Sequence, residues 1–345
     1  MAQDDHLGHV LVAGAAGFIG SAFARNYLDW HPQARVTVVD KLTYAGNLQN
    51  LAPVRGNPRF RFVRADIVDY DAIAPLVAEA DAVVNLAAES HVDRSILDPD
   101  VFVRTNVLGV NTLLRAAKEA GVKRFLQVST DEVYGHVGKG ATREDAPLRP
   151  RNPYSASKAG AELLAFSYHT NFGLPVLVTR GANTIGPYQY PEKATPLFIT
   201  NALEGKPLPI YGEGKAVRHY LYVDDHAAAI DLVLHRGEPG QAYNVGAEDE
   251  INTVELASRI LDLLGKPRSL MQFVPDRLAH DYRYSLDSAK IHALGWRRRY
   301  DFTRTLEQTV GWYSAHQDWW RKIKCGEYLE YYQRQYGPAL AGAER

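Results

Sequence analysis

Ser129-Thr130-Asp131-Glu132-Val133-Tyr134-Gly135 sets a hydroxyl and two adjacent carboxylates at the end of an apolar strand. Removing water across two neighbouring carbons needs one group to take a proton from carbon and another to give a proton to the departing hydroxyl. Two positioned carboxyl groups can do both. Adjacent residues leaving a strand project in different directions, so Asp131 and Glu132 can address different atoms of one substrate. If both are buried, their like charges push one pKa upward and keep one of them protonated as the acid. The same residues also fit an acidic, solvated turn, so the rest of the chain has to decide.

Gly14-Ala15-Ala16-Gly17-Phe18-Ile19-Gly20 follows one apolar strand and opens a helix, where glycines permit a tight turn and a pyrophosphate can sit on the helix N-terminus. Asp40 ends the second strand, about 20 residues further on, where a carboxylate binds a ribose 2′-hydroxyl and repels a 2′-phosphate. That favours NAD over NADP. Asp66 and Ala87-Ala88 end later strands and are candidate neighbours of adenine and nicotinamide, with ordinary sheet packing as the alternative. Tyr154 and Lys158 stand four residues apart at the start of a helix, on one face. A lysine ammonium near a phenol, aided by the cationic end of a nicotinamide, lowers the phenol pKa so that tyrosinate can remove a proton from a hydroxyl. Hydride can then leave the same carbon.

The elements that must position these groups read as a βαβ series. Apolar strands are expected at His9 to Ala13, Val36 to Val39, Phe60 to Val63, Ala82 to Leu86, Phe125 to Val128 and Val176 to Thr179, with helices at Val101 to Ala120 and Tyr154 to Asn171. Such alternation gives a parallel sheet covered by helices on both faces. Past about Asn183 the pattern loosens into Pro- and Gly-rich pieces, which marks a second lobe. The expected division is residues 1–183 for the first lobe and 184–345 for the second, with part of 219–250 returning to the first.

At 345 residues and 46% hydrophobic content the chain can bury a large core. A net charge of −1 makes no electrostatic case for nucleic acid or an anionic membrane. The lone Cys325 permits no internal disulfide, and twelve histidines without a Cys cluster or a helical His pair predict no metal site. The acidic start, Met1-Ala2-Gln3-Asp4-Asp5, and the short first strand predict neither signal peptide nor membrane span, hence a cytoplasmic protein. Arg297-Arg298-Arg299 reads as a solvated turn, and the aromatic tail, with Trp319, Trp320, Tyr328, Tyr331 and Tyr332, as docking on the body of the protein by default, a second subunit being the alternative, with one tail tyrosine, not singled out by the sequence, as a candidate cover for the substrate.

With these residues assembled, the chain resembles the extended short-chain dehydrogenase/reductase family, and within it the nucleotide-sugar 4,6-dehydratases, from about His9 to Lys324. The resemblance is carried by the glycine loop, Asp40-Lys41-Leu42-Thr43-Tyr44-Ala45-Gly46-Asn47, Leu86-Ala87-Ala88-Glu89-Ser90-His91-Val92-Asp93-Arg94-Ser95, the Ser129 to Gly135 run, Pro153-Tyr154-Ser155-Ala156-Ser157-Lys158 and Gly186-Pro187-Tyr188-Gln189-Tyr190-Pro191-Glu192-Lys193. Related epimerases and decarboxylases share the loop and the Tyr/Lys pair but usually lack the Asp-Glu pair.

The resemblance implies a Rossmann-type doubly wound parallel α/β sheet with a smaller α/β substrate-binding lobe, and a homodimer built through helices of the cofactor lobe. It implies a tightly bound NAD, regenerated at each turnover and held by Gly14, Gly17, Phe18, Ile19, Gly20, Asp40, Lys41, Thr43, Gly46, Asp66, Ile67, Leu86, Ala87, Ala88, Thr105, Ser129, Tyr154, Lys158 and Asn183. The implied reaction is dehydration of a nucleoside-diphosphate hexose, dTDP-glucose first, to its 4-keto-6-deoxy product. Thr130 and Tyr154 would handle the hydroxyl on carbon 4 and Lys158 the nicotinamide ribose, while Asp131 would protonate the group leaving carbon 6 and Glu132 take the proton of carbon 5. Ser90, His91, Thr130, Asn183, Lys193, Pro209, Tyr211, Arg218, Asn252, Arg277 and His280 would contact the substrate. Departures from the family pattern at Thr184-Ile185, His219-Tyr220 and Leu278-Ala279 leave UDP-glucose or another nucleotide sugar open as substrate. A 4-epimerase or decarboxylase, and a non-catalytic NAD-binding sensor, remain as alternatives.

Overall fold

The computed structural model describes residues 7–276 and 280–342. Seven strands make one parallel sheet, which from edge to edge runs β10 (Gln241–Val245), β6 (Val176–Gly181), β5 (Arg124–Thr130), β4 (Ala82–Asn85), β1 (His9–Ala13), β2 (Arg35–Asp40) and β3 (Phe60–Arg64). Buried on both faces, the central strands β1 and β4 carry apolar residues at successive positions, whereas the edge strand β3 sets exposed Arg61 between Phe60 and Phe62. Val10 and Val12 of β1 point into one layer, with Phe23 and Tyr27 of α1 (Phe18–Trp30) and Ile230 and Val233 of α8 (Val223–Arg236). Leu11 and Ala13 point into the other, with Ile73 of α2 (Tyr70–Ala78), Leu113 of α5 (Val110–Ala120) and Ala161 of α6 (Pro153–Phe172).

After β6 the chain leaves this body. It builds a three-stranded sheet from β7 (Asn183–Ile185), β9 (Val217–Tyr222) and β11 (Glu250–Asn252), and a strand pair from β8 (Leu208–Tyr211) and β12 (Met271–Val274). These pack with α7 (Ala194–Glu204), α9 (Thr253–Leu263), α11 (Phe302–Ala315), α12 (Gln317–Ile323) and α13 (Glu327–Gly342) around a third apolar cluster. Between β9 and β11 the chain returns, supplying α8 and the edge strand β10. Ile291 of α10 (Ala289–Ala293) and Trp296 add to the α1 layer as well.

One expectation needs revision. Val101 to Ala120 is not a single helix: α3 (Val92–Leu97) and α4 (Pro99–Phe102) lead into a π-helical turn, Val103–Gly109, before α5 begins. The wider turn carries Asn106 inward, where its Oδ1 accepts from the Glu89 amide at 2.9 Å and its Nδ2 donates to the Glu89 carbonyl at 3.0 Å and Ser157 Oγ at 2.8 Å. Turns of this kind recur beside functional sites, and apolar periodicity does not reveal them. A second surprise lies at the far end of α1. His31 Nε2 stands 2.8 Å and His235 Nε2 3.5 Å from Asp231 Oδ1, with the imidazoles stacked at 4.7 Å. The three ligand atoms lie within 4.8 Å of one another, spacing that a cation could bridge, although the sequence showed no metal cluster. Here the trio is a polar tie between α1 and α8.

Beneath α6, the buried Arg180 guanidinium meets the buried Glu162 carboxylate through Nε at 2.9 Å and Nη2 at 2.8 Å, and it also donates to the Glu144 carbonyl at 3.0 Å. Removing one partner strands the other charge away from water. Arg180→Ala should therefore lower the unfolding free energy by about 3–5 kcal/mol in urea titration. A loss below about 1 kcal/mol would show that the pair is not held out of water.

Candidate active site

β5 is buried from Phe125 onward and ends at Thr130, whose Oγ1 caps the following short 3₁₀ turn, Asp131–Tyr134, by accepting from the Glu132 amide at 3.3 Å. The same hydroxyl donates to Asp131 Oδ1 at 3.1 Å. Gly135 ends the turn with φ +72°, and a Cβ there would stand 2.3 Å from the Arg149 carbonyl oxygen, so only glycine fits where the chain turns away and leaves both acids at the carboxyl end of the sheet. Asp131 is buried and Glu132 half-buried. Burial, then the neighbouring Glu132 charge, pushes the Asp131 carboxyl up from 3.8 to about 7, while Arg218 and the Thr130 hydroxyl pull the other way. Glu132 Oε2 faces the Tyr284 hydroxyl at 3.4 Å and the Asn152 amide nitrogen at 3.5 Å.

Asn152 opens α6 through a capping box with Ser155, and Pro153 occupies the first turn, which fixes where Tyr154 and Lys158 start. Both side chains are buried in the cavity wall. The expected tuning of the phenol by the ammonium is not what sets these groups. Lys158 Nζ donates to the Val128 carbonyl at 2.6 Å, and burial lowers its pKa to about 8. Burial raises the Tyr154 phenol well above its ordinary value, Glu132 adds to the rise, and a hydrogen bond with Thr130 works against it.

These groups open into a cavity of about 400 Å³ that runs along the carboxyl ends of the strands and under the second lobe. Open α/β sheets bind their ligands there. At its inner end, Gly14 has φ +79° and a Cβ would meet the Ala87 backbone at 2.4 Å, while one on Gly20 would meet the Gly14 carbonyl oxygen at 2.6 Å. The α1 N-terminus has no side-chain cap, leaving its amides for an anion. Asp40 accepts from the Ala16 and Leu42 amides at 3.0 and 2.8 Å, and burial raises its pKa against those bonds. Lys41 sits 3.6 Å from Asp66 and 3.3 Å from Thr105 Oγ1. Buried Ser129 Oγ and Asn183 Oδ1 line the cavity without a protein hydrogen-bond partner, as atoms waiting for a polar ligand would. The residues present fit a dinucleotide, and every position expected to hold NAD lines this cavity.

Of the positions expected to face substrate, Ser90, His91, Thr130, Asn183, Lys193, Pro209, Tyr211, Arg218 and His280 line the same cavity. Lys193 Nζ donates to the Ser90 carbonyl at 2.6 Å. The Arg218 guanidinium lies over the Tyr284 ring at 4.5 Å and donates to the Asp281 carbonyl at 2.9 Å. Asn252 is placed elsewhere: its Oδ1 caps α9 by accepting from the Glu255 amide at 2.8 Å. Arg277 lies outside the described residues. Several wall residues carried no sequence signal, among them His226, whose Nδ1 pairs with Thr184 Oγ1 at 2.8 Å and whose pKa burial lowers to about 4. Tyr336 of the same wall, and Tyr284 against Glu132, were not singled out either, because their neighbours are brought in by the fold alone. No helix among the described residues is long and apolar enough to cross a membrane.

The model of the family described as GDP-mannose 4,6 dehydratase matches residues 11–309. A dTDP-glucose 4,6-dehydratase of Streptomyces griseus is 50% identical over 321 residues, 91% of this chain and 97% of the relative. The low-salt glycan biosynthesis protein Agl12 of Haloferax volcanii is 50% identical over 304 residues, 88% of this chain and 98% of the relative. Among solved structures, DesIV, the dTDP-glucose 4,6-dehydratase of Streptomyces venezuelae with NAD and TYD (dTDP) bound, superposes with a TM-score of 0.90 at 49% identity, covering 92% of this chain and 100% of that one.

The displaced Asp131 titration has a consequence for stability. An acid whose folded pKa lies above its unfolded value contributes stability that is complete below the unfolded value, here 3.8, and is lost as pH rises through about 7. Asp131→Asn abolishes that titration. Relative to the parent, the variant should thus gain stability between about pH 5 and about pH 8, read as urea midpoints of the ligand-free proteins. A parent-to-variant difference that stays flat over that interval would contradict the assignment.

Proposed function

The chain belongs to the family described as GDP-mannose 4,6 dehydratase, and we propose that within it this protein converts dTDP-glucose to dTDP-4-keto-6-deoxyglucose. It is an NAD-dependent hydro-lyase. The observation that carries the reading is Asp131, a carboxyl kept out of water with its pKa near 7, side by side with Glu132 and within the same wall as Tyr154.

NAD, when bound, takes up the hydride of carbon 4 and gives it back to carbon 6, so the cycle needs no net oxidant. In the proposed roles, Tyr154 removes the proton from the hydroxyl on carbon 4, with Thr130 hydrogen-bonded to the phenol. A phenol raised by burial needs positive charge beside it to act as a base, which a bound nicotinamide would supply, while Lys158 in the same wall would hold the nicotinamide ribose. The ketone at carbon 4 acidifies the proton on carbon 5, which Glu132 takes, and Asp131 gives its proton to the hydroxyl leaving carbon 6. Residues 1–183, with the returning part of 219–250, would hold the dinucleotide, and the rest of 184–345 the nucleotide diphosphate, through Lys193 and Arg218. A 4-epimerase needs the same oxidation but no acid poised for elimination, so the protonated Asp131 favours dehydration.

Exposed Leu97, Val103, Leu108 and Leu163 lie on mutually packed segments from α3 to α6, which supports the homodimer read from the resemblance. Light scattering at micromolar concentration should give twice the chain mass, and Leu163→Glu should reduce it to one; a monomeric parent would rule the dimer out.

Glu132→Gln should still let substrate reduce bound NAD, seen as nicotinamide absorbance, while formation of the 4-keto-6-deoxy product falls at least about 100-fold. Product formed at the parent rate would remove Glu132 from its role. With deuterium on carbon 4, the label should appear in the product methyl group; its loss to solvent would argue against an internal hydride return.

A further inference from the structure

A cluster of ligand-type side chains stands away from the cavity, where α1 and α8 both end. His31 caps the C-terminus of α1, while Asp231 and His235, four residues apart, share one face of α8 near its own C-terminus. Nε2 of His31, an Asp231 carboxylate oxygen and Nε2 of His235 lie within 4.8 Å of one another, and the Tyr27 hydroxyl adds a further oxygen 3.3 Å from His235 Nε2. The three side chains are 29%, 21% and 25% exposed, so an ion can reach them from solvent. No sequence pattern announced the group, because His31 and Asp231 meet across 200 positions.

We propose that His31, Asp231 and His235 bind a divalent cation of the zinc class, which clasps the returning helix α8 to α1. Two imidazoles and one carboxylate are a donor set that suits zinc, cobalt and nickel ions, with water completing the coordination. Mg²⁺ prefers oxygen ligands throughout and fits this set poorly. Both helices turn their carbonyl ends toward the trio, and the partial negative charge of a helix C-terminus favours a cation there. The imidazoles are also held in advance: the His31 ring packs on Tyr27 at 4.3 Å and on His235 at 4.7 Å, so little freedom is lost when an ion arrives. Coordination through Nε2 requires only the neutral ring with its proton on Nδ1. None of the three residues lines the cavity, and α1 spans about 20 Å between them and the glycine loop, so the ion acts on the fold and takes no part in the chemistry. What it secures is the segment that comes back from the second lobe, already tied to α1 by the Asn26 amide donating to Asp224 Oδ1 at 2.9 Å.

Calorimetric titration with Zn²⁺ tests the site, on tag-free, NAD-loaded protein treated with EDTA and dialysed free of it, beside thermal unfolding of the same samples. The parent should bind with a dissociation constant below about 100 µM, and zinc at about 100 times that constant should raise the melting temperature by about 2 °C or more. Excess Mg²⁺ should not compete. His31→Gln, His235→Gln and Asp231→Asn keep polar side chains of similar size; each should retain the parent's NAD content, weaken zinc binding at least about tenfold and abolish the thermal shift. Where one variant does not fold, the other two carry the test. Weaker binding or a smaller shift in the parent overturns the site, as does competition by Mg²⁺. A loss below tenfold in the folded variants overturns it too, because the ion would then sit on other histidines.

Discussion

Burial of Asp131 beside Glu132 is the constraint on which the arrangement of both lobes turns. A carboxyl taken out of water and set next to a like charge holds its proton to about pH 7, against an ordinary value of 3.8. Neither residue could be in that position on a free turn. It takes the largely buried β5, the Thr130 cap and the φ +72° glycine at 135 to set the turn at the carboxyl end of the sheet, and a second lobe to cover it. The same water exclusion strengthens every electrostatic contact inside the cavity, so a few well-placed groups suffice to move protons.

Desolvation does not favour all the catalytic candidates alike. It disfavours whichever form is charged, which helps an acid stay protonated but hinders a phenol from ionising and an ammonium from persisting. Asp131 is aided, whereas Tyr154 is pushed up and Lys158 down. Lys158 spends its short hydrogen bond on the Val128 carbonyl, one strand position from the buried Ser129 hydroxyl. The site is therefore asymmetric by construction. Its elimination half is poised by the protein alone, and its oxidation half depends on positive charge brought against the phenol.

How legible this was in the sequence depended on whether neighbours in space were neighbours in the chain. The glycine loop, Asp40, the Asp131-Glu132 pair and Tyr154/Lys158 could be read because each is a local device: a strand end, a turn, two residues on one helix face. The parallel sheet followed from strand and helix alternation. The π turn at Val103–Gly109 escaped, since no residue type in the run marks it, and it carries Asn106 onto Glu89 and Ser157, partners 17 and 51 positions away. Tyr284 and Glu132 meet across 152 positions, and Tyr336 reaches Tyr211 from another lobe edge, with no local pattern to announce either. Asn252 shows the converse: its residue type suits a polar contact, but an Asn followed three residues later by Glu255 is also an N-cap, and that is what the fold made of it.

The second lobe does more than hold one end of a substrate, because its charges reach the acid pair in the first. Arg218 of β9 is the largest influence opposing the rise at Asp131, and it is held in place by the Asp281 carbonyl and the Tyr284 ring, whose hydroxyl faces Glu132. Arg218 also lines the cavity, and its charge is felt by Asp131. An anion that pairs with Arg218 neutralises part of that pull, and the Asp131 carboxyl then keeps its proton more firmly. One guanidinium thus ties the charge of the second lobe to the acid pair of the first, and the crossing of the chain between lobes is what brings the two together.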